Sequence, residues 1–189
     1  MFVLGRCGIK TFFEFLKNNF LFNKLMISDN PCFEQITASS NPVCYSAKEI
    51  NQSGVFAFPK KGDITAIKLS HVSGHVSCGR KSNGVSYWGC KLHIPTELMT
   101  LVTDSEKNVV FPNDVPRSGA TPPKSYTLHG YNHLSLSLIF RPGNEKPYHV
   151  EKGDELHIWY SEVLQEESLS DNSGSHCVQV YVQYLDPLI

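Results

Sequence analysis

Apolar and polar residues alternate along several separated stretches of the chain, with the period of two that is typical of half-buried β-strands. The clearest stretches run from Leu134 to Phe140, from Glu155 to Tyr160 and from His176 to Tyr184. In the last of these, one face carries Val178, Val180, Val182 and Tyr184. The pattern therefore predicts strands with one face buried in a core.

Shorter β-rich stretches precede these three and are separated by turns that contain Pro, Gly and Asn. They are residues 55–58, 64–78, 87–90, 98–103 and 109–111. About eight strands result, with no convincing helix after Ile27, and a sheet of that size must close or stack to cover its apolar face. We therefore expect an all-β fold over residues 54–186, an antiparallel β-sandwich of the jelly-roll type.

The long stretch 64–78 changes its buried face part of the way along. Leu69 has one parity and Val76 has the other. A β-bulge or a bend near Ser70 or Gly74 is the simplest physical cause of such a change.

A tight hairpin is predicted by the Asn-Gly pair at residues 83–84, because both residues tolerate the positive φ angles of such a turn. A two-residue turn there places Cys78 opposite Gly89. One bulged residue instead places it opposite Cys90 and permits a cross-strand disulfide. We favour the bulged arrangement, with Cys177 as the alternative partner of Cys78.

The segment before the predicted domain is harder to interpret. Residues 1–27 are rich in Phe and Leu, but charged residues interrupt the apolar run. They therefore lack the clean core of a secretory signal and the roughly 20 apolar residues of a transmembrane helix. They are candidates for an unusual leader, an interfacial amphipathic helix, a packed helix or an incorrectly chosen start. Residues 28–53 are turn-rich and predict a connector, which Cys32 and Cys44 could close into a loop.

The length of 189 residues suffices for one substantial domain but not for two ordinary ones. The 17 basic and 18 acidic residues give a formal net charge of −1 at pH 7. Such a balance provides no field that attracts nucleic acid or an anionic membrane. A nucleic-acid-binding function is therefore not expected, and neither is a transmembrane segment.

Cysteine usage points to an oxidising compartment. The six cysteines include no Cys-x-x-Cys pair, which argues against a zinc ribbon or a thioredoxin-like site and favours structural disulfides. Asn51 begins a glycosylation sequon, which agrees with secretion. We expect a secreted, extracellular glycoprotein. The candidates for its disulfides are Cys32, Cys44, Cys78, Cys90 and Cys177.

The segment 166–175, directly before the last predicted strand, concentrates carboxylate, amide and hydroxyl side chains. Oxygen ligands of these kinds are what Ca²⁺ requires, so the segment is a candidate calcium-binding or sugar-binding loop. It also fits a solvated turn in which Asp171 and Asn172 bond to their own backbone and Gly174 supplies a positive φ.

The five residues 171–175, followed by an alternating strand, resemble the end of galactose-binding-like jelly rolls, including the bacterial galactose-specific calcium lectins. In those lectins the two residues before Ser-Gly coordinate a calcium ion that also holds sugar hydroxyls. The resemblance implies that Asp171 and Asn172 are calcium ligands. It also implies a carbonyl ligand at Ser168, where those lectins have threonine.

The match to those lectins is incomplete. They carry a further acidic ligand seven residues before the first of the pair, where this chain has Leu164. The nearby acidic residues that could substitute for it are Glu162, Glu166 and Glu167.

A second resemblance extends from about residue 55 to residue 184. The blocks 71–78, 87–90 and 153–160, together with Asp171-Asn172, resemble in the same order a group of secreted proteins of corals and sea anemones. The resemblance implies the same fold and an extracellular location. Some proteins of that group occur in extracellular or skeletal matrix, which keeps a structural matrix role open.

Other chemistry is weakly represented. His71 and His75 are four residues apart, roughly 13 Å along a strand, which is too far for two ligands of one zinc ion unless the chain bends at Gly74. The sequence has no nucleophile elbow, no His-Glu-x-x-His pattern and no phosphate-binding glycine loop, so an enzyme is not expected. Trp88 and Trp159 are candidates either for the core or for stacking against a sugar ring.

Together these patterns predict an extracellular lectin-like module that binds carbohydrate or an extracellular glycoprotein, with calcium as the candidate cofactor. The candidate ligand-binding residues are Asp171, Asn172, Ser173 and Trp159, and the candidate metal ligands are Asp171, Asn172 and Ser168. The alternative is a structural extracellular or skeletal matrix protein without a small-molecule ligand.

Overall fold

The computed structural model describes residues 33–79, 85–113, 124–143, 146–166 and 169–185. The predictions for residues 1–27 and for the turn at 83–84 lie outside the described residues. In chain order the elements are β1 (Phe33–Thr37), β2 (Val43–Ser46), β3 (Gly54–Ala57), β4 (Gly62–Gly74), β5 (Val76–Ser77), β6 (Val85–Ser86), β7 (Glu97–Leu98), β8 (Thr100–Thr103), β9 (Val109–Phe111), β10 (Tyr126–Thr127), β11 (Ser137–Phe140), β12 (Tyr148–Val150), β13 (Glu155–Tyr160), α1 (Ser161–Gln165) and β14 (Ser175–Leu185).

The larger sheet has six strands and is built around β14. On one side β14 pairs with β1 and β2, and on the other side it pairs along its length with β4. The far edge of β4 pairs with β11 and β12. All these pairings are antiparallel, as the sequence predicts.

The second sheet has four strands in the order β3, β13, β8, β9. Two short ribbons, β5 with β6 and β7 with β10, complete the strand pairs of the described residues. No helix in the described ranges is long and apolar enough to cross a membrane.

The core lies between the two sheets. Every second residue of β14, from Val178 to Tyr184, is buried, and Leu156, Ile158 and Tyr160 of β13 are buried in the same hydrophobic cluster. Burial of alternating residues from both sheets is how a β-sandwich covers its two apolar faces. The predictions of an all-β sandwich and of inward-facing residues on the last strand are confirmed.

The predicted bulge in the long strand β4 is also confirmed. Cys177 of β14 pairs with Ser73, whereas the next residue, Val178, pairs with His71. Val72 is therefore the extra residue of a β-bulge and is exposed. The bulge lies between the two positions that the sequence indicates.

The stretch from Leu134 to Phe140 differs from the prediction in its first half. Only Leu138 and Phe140 are buried, and the strand begins at Ser137. Before it, the side chain of Asn132 accepts a hydrogen bond from the backbone N–H of Leu134 at 2.8 Å, which closes a turn. The alternating pattern thus continues into a loop, where Leu134 and Leu136 are exposed.

Two further elements differ from the prediction. The segment predicted as a connector, 28–53, supplies β1 and β2 to the larger sheet, because these strands find their hydrogen-bond partner in β14 at the other end of the chain. A short helix, α1, follows β13 although no helix was expected there. One helical turn is too short for a 3.6-residue period to be visible in a sequence.

The two strands that flank residues 78–84 pair Ser77 with Val85. This register does not continue to Gly89 or Cys90, so the predicted ladder there is wrong. After β6 the chain bends, and the hydroxyl of Ser86 donates to the carbonyl of Gly89 at 2.6 Å. The bend, rather than strand register, brings Cys90 close to Cys78.

Candidate functional site

The loop between α1 and β14 is held on both sides by backbone hydrogen bonds. Ser173 exchanges two of them with Ser77, at 2.9 and 3.0 Å, and the carbonyl of Gly174 accepts from the N–H of Ala47 at 3.0 Å. Gly174 has a φ of 92°, and a Cβ at this position would overlap the carbonyl oxygen of His75. A glycine is therefore required where the loop enters β14.

The helix α1 places the carboxylate of Glu162 beside this loop. The side-chain amide of Asn172 donates to Glu162 Oε2 at 2.8 Å, and the two residues are only 2% and 5% exposed, respectively. Lys124 Nζ lies 3.9 Å from Glu162 Oε1. We call Glu162, Asp171 and Asn172 the acidic cluster.

One oxygen of the acidic cluster has no hydrogen-bond partner in the part of the chain that the structure describes. Asn172 Oδ1 is buried and accepts no hydrogen bond from any of the described residues. A buried acceptor without a partner is costly, and each such group in a folded protein calls for an explanation.

The surroundings of Glu162 disfavour the ionised form of its carboxyl group. Burial is the main cause that raises the pKa of Glu162, and the charge of Asp171 raises it further. The hydrogen bond from Asn172 and the charges of Lys124 and His93 act in the opposite direction, but the net direction is upward. A cation at the cluster would reverse this, because it favours ionised carboxylates.

The donor atoms of the acidic cluster fit a hard cation such as calcium. Its side chains offer carboxylate oxygens and one buried amide oxygen to which none of the described groups donates. Ca²⁺ takes roughly six to eight oxygen ligands, so water or ligand hydroxyls would complete the coordination.

Sequence reasoning identified Asp171 and Asn172 but could only name three acidic residues as candidates for the additional carboxylate. The structure brings Glu162 to Asn172 through α1. Glu166 instead ends that helix in the left-handed conformation, with a φ of 59°. Glu167 and Ser168 lie outside the described residues, so the proposed carbonyl ligand at Ser168 stays a prediction.

Trp159 lies on β13 and is packed against neighbouring side chains, with 4% of its surface exposed. Its indole N–H donates to Thr103 Oγ1 at 3.0 Å, and Lys107 Nζ lies 5.3 Å from the ring centre. The ring therefore offers no open face for a sugar in this structure, and a role of Trp159 in ligand binding stays a prediction. Trp88 is fully buried and belongs to the core.

Two disulfides fix the surroundings of the loop. Cys78 pairs with Cys90, as favoured from the sequence, and Cys44 pairs with Cys177. The alternative pairing of Cys78 with Cys177 is therefore wrong, and so is the loop closed by Cys32 and Cys44. Cys44 and Cys177 are direct neighbours on β2 and β14, a contact between distant parts of the chain that spacing alone does not reveal.

His93 lies near the sulfurs of Cys78 and Cys90 in an arrangement that could hold a metal ion. Both sulfurs are already joined in the disulfide, which leaves no thiolate to bind a metal. Cys78, Cys90 and His93 are therefore a structural group around a disulfide in this structure.

The histidine within hydrogen-bond distance of His71 is His176 and not His75, the neighbour in sequence. His71 Nδ1 lies 2.9 Å from His176 Nε2, and His176 Nδ1 lies 3.0 Å from the hydroxyl of Tyr45. That hydroxyl lies 2.8 Å from Thr100 Oγ1, which in turn donates to the carbonyl of Trp88 at 3.2 Å.

A carbonyl can only accept, so the direction of this chain is set at its inner end. The hydroxyl of Tyr45 donates its one proton either to Thr100, which in turn donates to the carbonyl of Trp88, or to the carbonyl of Tyr87 at 3.3 Å. In both cases that proton is not available to His176, so His176 Nδ1–H donates to Tyr45. His71 Nδ1–H then donates to His176 Nε2. This assignment keeps His176 neutral, in agreement with burial, which lowers its pKa to about 3.

The predicted glycosylation residue, Asn51, lies in the exposed turn between β2 and β3. It has a positive φ of 64°, and its side-chain oxygen lies 3.5 Å from Lys107 Nζ. The position is accessible to a modifying enzyme, and glycosylation there stays a prediction.

Comparisons with known proteins give one informative match. No protein-family model and no curated protein sequence matches the chain. Among solved structures, the chain is similar to AJLec from the sea anemone Anthopleura japonica, with a TM-score of 0.66 and 32% sequence identity. The match covers 80% of this chain and 97% of that chain. It agrees with the sequence resemblance to sea anemone proteins.

Proposed function

Because the chain belongs to the family of the sea anemone lectin AJLec, we propose that it is an extracellular carbohydrate-binding protein that holds its sugar with the help of a calcium ion. Family membership and two disulfides support the lectin function and the extracellular location. The observation that supports the calcium site is Asn172 Oδ1, a buried acceptor without a partner among the described residues, in a side chain whose amide nitrogen bonds to the carboxylate of Glu162.

In this proposal the acidic cluster holds the ion. Glu162 and Asp171 supply carboxylate oxygens, and Asn172 supplies Oδ1. The hydrogen bond to Glu162 uses the nitrogen of the Asn172 amide and leaves the amide oxygen available to the ion. When bound, calcium supplies a centre that coordinates sugar hydroxyls in its remaining positions.

The first experiment measures thermal unfolding of the full chain in EDTA, in Mg²⁺ and in Ca²⁺. We expect Ca²⁺ to raise the melting temperature, because an ion at a hundredfold its dissociation constant stabilises the folded state by roughly 2.7 kcal/mol. The variants Glu162→Gln and Asn172→Ala should lose this response. Glu151→Gln is the matched control, since it removes the same charge from an exposed ion pair with Lys61.

The second experiment tests sugar binding on an array of terminal galactose, N-acetylgalactosamine, mannose and fucose glycans, with Ca²⁺ and with EDTA. Binding that requires Ca²⁺ and is lost in Asn172→Ala supports the full proposal. Binding that is equal in EDTA overturns the calcium part and keeps the lectin part. No response to calcium together with no bound glycan would falsify the proposal. That result would favour the alternative, a structural matrix protein without a small-molecule ligand.

A further inference from the structure

A shallow hollow lies on the outer face of the larger sheet and spans four of its strands. In β14 the buried Val180 and Val182 alternate with Tyr181, so the Tyr181 ring lies on the face away from the core. The hollow has a volume of about 50 Å³. Its polar and aromatic lining consists of Gln35, Lys68, Arg141, Tyr181 and Gln183. We call these five residues the outer-face cluster.

The strand register places the residues of the outer-face cluster side by side. One outward row crosses β1, β14 and β4 with Gln35, Gln183 and Ala66, and the next row crosses β14, β4 and β11 with Tyr181, Lys68 and Ile139. Arg141 directly follows β11. Neighbouring strands are about 4.8 Å apart, so side chains within a row are adjacent. The cluster is therefore one contiguous surface, and the short side chain of Ala66 leaves the space between its longer neighbours.

The outer-face cluster carries two positive charges that have no anionic partner. Neither Lys68 nor Arg141 forms an ion pair with any of the described residues. Lys68 Nζ instead lies 5.7 Å from the centre of the Tyr181 ring. Glu34, the acidic residue of β1, is paired with Lys60, and no carboxylate is among the described residues that line the hollow. An anionic group placed there would meet two cations without a competing carboxylate from that lining.

We propose that the outer-face cluster binds an anionic saccharide, a sugar that carries a sulfate or a carboxylate group, and that it does so without calcium. Arg141 and Lys68 hold the anionic group, and the guanidinium of Arg141 matches it with two parallel N–H groups. The Tyr181 ring packs against C–H groups of the sugar. The side-chain amides of Gln35 and Gln183 donate to its hydroxyls and accept from them. A saccharide uses all these groups at once, whereas a free anion uses only the cations.

The two kinds of polar group lie on different strands, which sets the direction of the ligand. Lys68 lies on β4 and Arg141 follows β11, whereas the two amides lie on β1 and β14. The saccharide therefore lies across the strands, with its anionic group over β4 and β11 and its hydroxyls over β14 and β1. The space of about 50 Å³ is large enough for one small group such as a sulfate, while the rest of the sugar stays on the surface.

Other occupants fit the outer-face cluster less well. Nucleic acid binds through many phosphate contacts, which two cations in a chain of net charge −1 do not provide. A membrane contact requires exposed apolar side chains, and none of the large hydrophobic residues that are exposed in the described ranges belongs to this cluster. A second copy around a two-fold axis would bring like charges together. The cluster shares no residue with the acidic cluster, so this proposal does not depend on the calcium site.

The test measures binding of the full chain to chondroitin sulfate oligosaccharides, to neutral dextran and to inorganic sulfate by isothermal titration calorimetry, in EDTA and at low ionic strength. We expect chondroitin sulfate to bind and dextran not to bind. The variant K68Q/R141Q should weaken the binding of chondroitin sulfate at least about tenfold, because it removes two charge-assisted contacts. The matched control K48Q/K152Q removes two exposed positive charges outside the cluster and should bind like the unmodified chain.

The variant Tyr181→Leu separates a saccharide from a simple anion. It should weaken the binding of chondroitin sulfate at least about threefold and leave the binding of inorganic sulfate unchanged, because only the sugar contacts the ring. If Tyr181→Leu changes neither affinity and inorganic sulfate displaces chondroitin sulfate completely, the cluster is a site for small anions only and the saccharide proposal is wrong.

Equal binding of chondroitin sulfate by K68Q/R141Q and the unmodified chain overturns the proposal, and so does the absence of binding to the unmodified chain. Absence of binding together with a dimer that K68Q/R141Q converts to a monomer assigns the cluster to a second copy instead. The variant D171A/N172A separates the two proposals, because it should lose any calcium response and keep the binding of chondroitin sulfate in EDTA. Thermal unfolding of each variant confirms that it is folded, and the single variants Lys68→Gln and Arg141→Gln should give smaller losses.

Discussion

Asn172 and Glu162 form a hydrogen bond of 2.8 Å in the interior, although they belong to different elements of the chain. The bond uses one amide hydrogen of Asn172 and leaves its oxygen without an acceptor role among the described residues. The buried carboxylate of Glu162 thus accepts a hydrogen bond from Asn172, whose own side-chain oxygen has no partner among the described residues. Removal of one member of such a network leaves the other member buried without its hydrogen-bond partner, so the cost depends on which member is removed.

We predict that Glu162 and Asn172 are energetically coupled. In EDTA, Asn172→Ala should lower the free energy of unfolding by about 1–3 kcal/mol, because it leaves the buried carboxylate without its donor. In the Glu162→Gln background the same change should cost less, by a coupling energy of about 1–2 kcal/mol. Urea unfolding of the four proteins in the double-mutant cycle measures this coupling.

The exposed pair of Lys61 and Glu151 is the control for that cycle. Coupling between exposed ions is typically below about 1 kcal/mol. If the cycle of Glu162 and Asn172 gives a value no larger than that of the control, the bond does not stabilise the folded state.

The second prediction concerns the stability of the folded protein at acidic pH. Burial lowers the pKa of His176 to about 3, with the charges of His71 and His75 acting in the same direction and the carbonyl of Tyr87 opposing them. Between the ordinary histidine pKa of 6.5 and the value of about 3, the unfolded chain binds a proton at this histidine and the folded chain does not. The free energy of unfolding should therefore decrease as pH falls through this window, by up to about 1.4 kcal/mol per pH unit from this residue.

The variant His176→Gln should reduce the slope of the free energy of unfolding against pH between pH 6 and pH 4, relative to the unmodified chain. The reason is that its unfolding takes up about one proton fewer. His149→Gln serves as the control. The hydrogen bond to Asp63 raises the pKa of His149, so its stabilising effect is lost only as pH rises above 6.5 and the slope below pH 6 should not change. Equal slopes for His176→Gln and the unmodified chain would show that His176 does not hold its neutral form.

The third prediction separates backbone strain from steric overlap. Gly153 and Gly174 both have a φ of 92°. A Cβ at Gly153 would meet no other atom within 4 Å, whereas one at Gly174 would overlap the carbonyl oxygen of His75. Gly153→Ala should cost about 1–2 kcal/mol for the left-handed conformation alone.

Gly174→Ala should cost more, at least about 3 kcal/mol, because the loop must also move away from the backbone of residue 75. Since that loop carries Asp171 and Asn172, the calcium response should weaken in the same variant. Chemical denaturation of both variants checks the difference, and similar costs would mean that the loop relaxes without penalty.

The sequence predicted those parts of the fold in which one local pattern decides the outcome. β14 faces the core with the residues that its alternation indicates, because the strand is flanked on both sides by partners and has one apolar face. Leu134 and Leu136 show the limit of this argument. They continue the same alternation, but the turn closed by Asn132 removes them from the sheet.

The candidate site was predictable only in part, for a similar reason. Asp171 and Asn172 lie in a segment whose composition is conspicuous, whereas Glu162 reaches it through a helix of five residues that has no sequence period. The pairing of Cys44 with Cys177 depends on two strands that are separated by most of the chain. Such contacts follow from the three-dimensional arrangement and have no local signal.

The position of β14 in the larger sheet has a consequence for biosynthesis. β14 is the strand between β1, β2 and β4, yet it follows all the other described strands in the chain. During translation β1 and β2 are made first, and they lack their hydrogen-bond partner until nearly the whole domain has been made. The larger sheet cannot close before that point, so the nascent chain exposes unpaired strand edges for most of its synthesis.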